Sequence, residues 1–284
     1  MTKAPLPVAR SVPWNLTSGL RPVRKADIVV LSIGKSGRTW LRVILNKYLA
    51  LHHNMEFSLE DLGRGNPSIP SIHYSHELWE FLTKASPWEK AVGKYLIPDR
   101  LIFHKSMVVL YRDPRDVLIS RYFHKKKRSK KIDADESISN YLCSGQSGFD
   151  ESIRVMNTWR QRFAGHPKVF WLSYEALQND IKVCLVALLE FLQITPVDEA
   201  KLDSAIHFAA FDNMQEMERR GGFPEPSHDG EVGSRILTPG DPEDVDSFKV
   251  REGKVGSHRQ HLSTEELSLL NSKLAGLDPF FDYR

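Results

Sequence analysis

The sequence predicts an α/β fold, a P-loop-like three-layer arrangement with a central parallel β-sheet flanked by helices. Three observations predict it. Ile28–Ile33 is a short run of β-branched and aliphatic residues, long enough for a buried parallel strand and too short for a globular helix. Similar apolar runs recur at Met107–Tyr111 and Val169–Leu172, separated by stretches of helical periodicity. Strands that alternate with helices in this way imply a parallel sheet covered on both faces.

Each element follows from local chemistry. Residues 1–26, with Pro5, Pro7, Pro13 and Pro22, read as an extended arm, and residues 27–284 as a single domain. After the first strand, Gly34-Lys35-Ser36-Gly37 breaks the apolar run. From Arg38 onward Leu41, Ile44, Leu45, Tyr48 and Leu49 recur at helical spacing. Residues 52–70 are polar and punctuated by Gly63, Gly65, Pro67 and Pro70, hence connecting structure. A short strand is expected at Ser71–Ser75 and a helix over 77–85. The Met107–Tyr111 strand runs into Arg112-Asp113-Pro114-Arg115-Asp116. There Pro114 suits the first turn of a helix, because its missing N–H would be unpaired anyway. Ile153–Phe163 is amphipathic, and helices are expected near 180–193 and 198–210. Residues 221–247 are rich in Pro and Gly, with Asp241, Glu243, Asp244 and Asp246 clustered at the end. A connection this long without periodicity is a candidate lid or a plain loop. Ser263-Thr264-Glu265-Glu266 opens the last helix with a capping signature.

Composition narrows the function. A chain of 284 residues, 41% hydrophobic and 26% charged, is an ordinary globular composition. Its net charge of +3 suits anionic ligands but falls short of a nucleic-acid footprint. Cys143 and Cys184 make neither a disulfide framework nor a four-ligand zinc site, and as free thiols they fit a reducing compartment. With no apolar leader and no run of transmembrane length, a cytoplasmic protein without a membrane span is expected.

Strand, Gly/Lys/Ser turn and helix form the geometry in which backbone N–H groups surround an anion. Lys35 would add a point charge, and Ser36 and Thr39 hydroxyl donors. A Walker loop would need a glycine at the position of Val29, which lies inside the strand, so the loop is too short to wrap a triphosphate. A second constellation is Arg112 at a strand end with Ser120 two turns into the next helix. Together they could grip a phosphate from two sides, the arginine through its planar fork of donors. Alternatively this stretch is an ion-paired helix N-terminus, with Asp113 and Asp116 serving the dipole.

Lys35-Ser36-Gly37-Arg38-Thr39-Trp40 resembles the Lys-Ser-Gly-Thr-Thr-Trp loop of sulfotransferases that use 3′-phosphoadenosine 5′-phosphosulfate (PAPS), with Arg38 in place of the first threonine. Tyr111 to Ser120 is similar to that family's Arg…Ser stretch, which holds the 3′-phosphate. Ser173-Tyr174-Glu175-Ala176-Leu177 resembles its Tyr-Glu-x-Leu segment, whose tyrosine contacts the adenine. Arg251-Glu252-Gly253, within Lys249–Arg259, resembles the late Arg-Lys-Gly segment, with Glu252 in place of lysine. These matches stand in the family's order from Lys35 to Gly256. The resemblance implies PAPS as donor and adenosine 3′,5′-bisphosphate (PAP) as product, with no metal required. It assigns the donor site to Lys35, Ser36, Gly37, Arg38, Thr39, Trp40, Arg112, Ser120, Tyr174, Arg251, Glu252 and Gly253. Lys35 would also act in catalysis by neutralising the departing phosphate. The missing leader points away from Golgi-anchored members, and the family's dimerisation segment is absent, which leaves the oligomeric state open.

Sulfuryl transfer to a hydroxyl or amine needs a general base, and histidine suits neutral pH. Of 11 histidines, the Ser75-His76 pair at a strand end matches the family's Lys-Thr/Ser-His context, with Tyr74 in place of lysine. His76 is the choice, ahead of His73 and His104. Lys125–Lys131, basic at six of seven positions, is a solvated helix end or a dock for an anionic acceptor. Two other classes compete: a P-loop kinase or NTPase, and an anionic-polymer-binding module. The acceptor itself carries no motif.

Overall fold

The computed structural model describes residues 20–145, 147–221 and 239–283. Four strands, β1 (Ile28–Ser32), β2 (Ile72–Ser75), β3 (Ser106–Tyr111) and β4 (Val169–Ser173), form one sheet in the order β2-β1-β3-β4. Every pairing is parallel, as the helix–strand alternation requires.

The side chains of β1 and β3 alternate between two cores, which is the period-2 consequence of strand geometry. Val29, Leu31, Ile33, Met107 and Val109 enter one core with Phe149, Met156 and Trp159. Ile28, Val30, Val108 and Leu110 enter the other with Leu41, Ile44, Leu45 and Leu188. Burial on both faces is why β1 reads as an unbroken apolar run: all five of its residues are buried.

The register sets the geometry of the site. Leu31 pairs with Ser75, Ser32 with Leu110, and Tyr111 with Ser173. The four strands therefore end together, and residues 33–37, His76, Arg112 and Tyr174 all emerge at one edge. In an open parallel sheet this edge is where ligands bind, on either side of the strand at which the connections diverge. Here that strand is β1.

Several boundaries differ from the sequence reading. A five-residue helix, Arg21–Lys25, occupies the end of the expected arm, and residues 1–19 lie outside the described residues. The amphipathic helix begins at Phe149 rather than Ile153, after Gly148 in the left-handed conformation. Of the expected lid, residues 222–238 lie outside the described residues, and Val245–Ser247 forms a short 3-10 turn.

Candidate active site

The cradle begins where β1 stops. The helix Arg38–His52 follows Gly37, whose φ is +88°. A Cβ at Gly37 would lie 2.6 Å from Cδ2 of Tyr174, so the turn and the packed ring both require glycine. Lys35 also takes a positive φ, +78°, an unfavourable conformation for a residue with a side chain. Ser36 is buried, and its hydroxyl donates to the Ile33 carbonyl at 3.0 Å. In this structure its proton closes the turn on Ile33. Thr39 and Trp40 are half-buried in the first helical turn. The Trp40 indole donates to the Ala209 carbonyl at 2.9 Å and meets the Tyr174 ring edge-on at 5.8 Å.

Arg112 joins the cradle to the rest of the site. Its Nη1 donates to the Lys35 carbonyl at 3.3 Å and its Nη2 to the Lys254 carbonyl at 2.8 Å. The guanidinium lies over the Tyr174 ring at 4.1 Å, while its buried Nε has no partner among the described residues. A buried charged donor left unpaired is costly, and an anion at this point would satisfy it. Tyr174 is buried, and its hydroxyl accepts from Gln178 at 2.9 Å. Ser120 sits half-buried on the helix Pro114–Phe123.

Asp113 serves the helix N-terminus as expected, accepting from the Arg115 N–H at 2.8 Å. Asp116 does not. It is fully buried and accepts from the Gly256 N–H at 2.8 Å, the His258 N–H at 3.0 Å and the protonated His258 Nδ1 at 2.7 Å. Arg112 Nη2 lies 3.5 Å away. Burial pushes this carboxyl up, but the His258 hydrogen bond, the Arg112 charge and the two backbone donors together hold it at about 2. Asp116 thus fastens the late 254–258 segment beside Arg112.

In that segment Gly253 takes φ +63°, with Phe211 where a Cβ would stand. Arg251 lies over the Phe123 ring at 4.0 Å. Its Nη1 and Nη2 reach the Glu252 carboxylate at 2.7 and 3.1 Å, and Nη1 lies 3.3 Å from Asp246. Glu252, the departure from the resembled motif, thus neutralises the adjacent arginine.

The basic run is not one solvated face. His124–Arg128 is a π-turn extending the Pro114–Phe123 helix. Lys126 donates to the Tyr122 hydroxyl at 2.9 Å, Lys127 pairs with Asp244 at 3.0 Å, and Arg128 pairs with the fully buried Glu218 at 2.5 Å. Glu218 also accepts from the backbone N–H groups of Lys249 and Val250, at 2.7 and 2.9 Å. Three residues that sequence reasoning did not select for the site, Lys249, Glu218 and His124, are thereby drawn to it. The partners of Glu218 lie 31 to 90 residues away, which no local pattern shows, whereas His124 adjoins the basic run.

The resulting field is strongly positive. Burial lowers Lys35 to about 7, helped by the charges of Lys249 and Arg128 and opposed by Glu218. Lys249 is lowered to about 8 by burial and by Arg38 and Arg128. His124 is lowered to about 3 by burial and by Lys35 and Arg128.

His76 stands at the end of β2. Its Nδ1 lies 2.7 Å from the Ser32 carbonyl, which can only accept, so Nδ1 carries the proton and Nε2 keeps its lone pair. Burial and the Arg38 charge lower the imidazole to about 3, against the opposing Ser32 hydrogen bond, and keep it neutral at physiological pH. The next residue anchors this geometry: buried Glu77 accepts from Arg162 at 2.8 Å and from the Trp159 indole at 3.3 Å. His73 lies in β2 opposite Val29 and is lowered to about 4 by burial, Arg38 and Arg42. His104 is exposed and precedes β3, at the opposite edge of the sheet. A cavity of about 350 Å³ adjoins the cradle, with Val23, Arg38, His73, Tyr74, His76 and Glu80 among its walls.

A parallel sheet with an anion cradle after an inner strand, and a second arginine-bearing loop beside it, is a P-loop-like α/β architecture. A sulfotransferase domain model matches residues 25–272. An amine sulfotransferase of Oryctolagus cuniculus is 25% identical over 254 residues, covering 86% of this chain and 78% of that protein. Among solved structures, retinol dehydratase in complex with androsterone and inactive cofactor PAP superposes with a TM-score of 0.61 at 14% identity, over 92% of this chain and 82% of that one. A mouse sulfotransferase complexed with PAP gives 0.58 at 15% identity, over 89% and 83%. The chain belongs to the sulfotransferase domain family, and its enzymatic class is PAPS-dependent sulfuryl transfer. The kinase alternative fails with that match. Among the described residues no helix is long and apolar enough to cross a membrane.

Proposed function

We propose that this protein is a cytoplasmic enzyme that moves the sulfuryl group of PAPS to a hydroxyl or amine of a small acceptor, with His76 as general base. The donor supplies a sulfur centre whose bond to the bridging phosphate oxygen breaks as the acceptor bond forms, with PAP leaving. The chain's own residues do the rest. Backbone N–H groups of residues 34–39 and the Lys35 ammonium stabilise charge on the departing phosphate. Arg112, with Ser120 on the following helix, takes the 3′-phosphate. Its Nε, buried and without a partner among the described residues, is consistent with a charge-assisted contact forming there when the donor binds. Trp40 and Tyr174 flank the adenine side, and the segment Arg251–Gly253 closes over it.

The observation that carries the assignment of the base is the fixed tautomer of His76. With Nδ1–H held by the Ser32 carbonyl at 2.7 Å, Nε2 is the acceptor left to take the nucleophile's proton. The cavity that His76 lines together with Arg38 is where we place the acceptor. His104 is exposed at the far edge of the sheet, whereas His73 lines the same cavity and is the rival that the test must separate from His76.

The test compares PAP release from PAPS in the wild type, His76→Asn and His73→Asn across a panel of hydroxyl and amine acceptors, with PAP affinity measured alongside. His76→Asn should lose about 10²–10⁴-fold in kcat while retaining PAP binding, as expected for removal of a general base. A full loss in His73→Asn with activity retained in His76→Asn would reassign the base.

A further inference from the structure

The cavity beside His76 carries a charge that the transfer chemistry above leaves without a partner. Arg38 stands at the first position of the helix Arg38–His52 and lines this cavity with His73, Tyr74 and His76. No carboxylate lies within ion-pair distance of its guanidinium among the described residues. The two acids on the same wall have other partners, Glu77 with Arg162 at 2.8 Å and Glu80 with Lys84 at 2.7 Å, and of the two only Glu80 acts on the Arg38 charge, from beyond ion-pair distance. The surrounding charges add to the imbalance, since Arg42 lies over the Tyr74 ring at 5.1 Å. Tyr74 itself has a buried hydroxyl with no partner among the described residues. Leu20, Val23 and Ile97 add apolar surface to the lining. A half-apolar cavity with a guanidinium that lacks a direct ion-pair partner suits an amphipathic anion.

Resting on the reading of His76 as the base, we propose that Arg38 selects acceptors that carry a carboxylate, or a phosphate or sulfate ester, besides the hydroxyl or amine that receives the sulfuryl group. The planar fork of Arg38 would hold the anionic end while the nucleophile faces His76 Nε2. Arg38 is then a specificity residue as well as part of the cradle.

A matched probe pair tests this: 4-hydroxyphenylacetate and 4-hydroxyphenylacetamide, equal in shape and different in charge. Their affinities for PAP-saturated protein are measured by calorimetry, and their kcat/KM values with PAPS by PAP release. The same is done for Arg38→Gln and Arg38→Lys, with thermal melting as a folding control. The proposal predicts that the wild type prefers the carboxylate by roughly ten- to hundredfold in both readouts, the range of one charge-assisted hydrogen-bonded contact. That preference should collapse in Arg38→Gln and return in part in Arg38→Lys. Equal affinities, no binding of the carboxylate by protein that binds PAP, or a preference that survives Arg38→Gln would each overturn it. So would a preference seen with PAP that vanishes with PAPS, because the carboxylate would then be occupying the sulfuryl position. Failure to bind PAP at all would instead overturn the donor assignment.

Discussion

Binding of the bisphosphate product should take up a proton, and Lys35 should be its main source of change. In the free protein burial and three neighbouring cations bring Lys35 down to about 7. At pH 8 roughly one Lys35 in ten is then charged. A phosphate charge about 4 Å away is worth on the order of 4 kcal/mol at an effective dielectric of 20, or about three pKa units. Bound, Lys35 would be fully protonated. It would take up roughly 0.9 proton at pH 8 and about 0.5 at pH 7. Lys249, at about 8 in the free protein, adds up to about half a proton at pH 8. The sign is fixed by linkage: a ligand that raises a depressed lysine binds more weakly as pH rises through the free-state value. Calorimetric titration of PAP in buffers of differing ionisation enthalpy, at pH 7 and pH 8, reads the proton count directly. Lys35→Met should remove about 0.9 proton at pH 8. The reasoning is refuted if uptake falls from pH 7 to pH 8, which would point to His76 or His124, or if Lys35→Met leaves the count unchanged.

Two further expectations concern the frame of the site. Gly37→Ala places a Cβ 2.6 Å from the Tyr174 ring at φ +88°; it should cost about 2 kcal/mol and lower Tm by roughly 4–8 °C, with weaker PAP binding by calorimetry. Gly34→Ala, whose nearest contact is 3.1 Å from the Trp79 indole nitrogen, should cost less. Asp116 has a folded value of about 2 against an ordinary 3.8. Its contribution of about 2 kcal/mol is therefore present above pH 4 and lost as pH falls toward 2. Asp116→Asn should lower denaturant stability at pH 7 by about 2–4 kcal/mol and flatten the acid limb of the stability curve.

What the sequence revealed, and what it hid, follows from range. The strand, turn and helix around Lys35 were legible because burial on both sheet faces and helical periodicity are local signals. The strand-end position of His76 was legible in the sequence, and the parallel register places it beside Ser32. The helices Pro87–Ala91 and Asp99–Ile102 escaped because they are too short to show a period. The hydrogen bond of the Ser36 hydroxyl to the Ile33 carbonyl, three residues back across the turn, carried no sequence signal. Asp116 looked like a dipole partner for its own helix, whereas its ligands are 140–142 residues away. Glu218 carried no pattern at all, and Lys249 only the edge of the late segment, because their meaning comes from a contact that only the fold makes, the Lys249 N–H on the Glu218 carboxylate.

The most direct measurement of the donor site is a metal-free titration of wild type and Arg112→Ala with adenosine 3′,5′-bisphosphate, against ATP with magnesium. Arg112 contacts the cradle, the late loop and Tyr174 at once. The account predicts tight binding of the bisphosphate in the presence of chelator, weakened by roughly a hundredfold or more in Arg112→Ala, and little affinity for ATP. Preference for magnesium-ATP, or bisphosphate binding indifferent to Arg112, would contradict it.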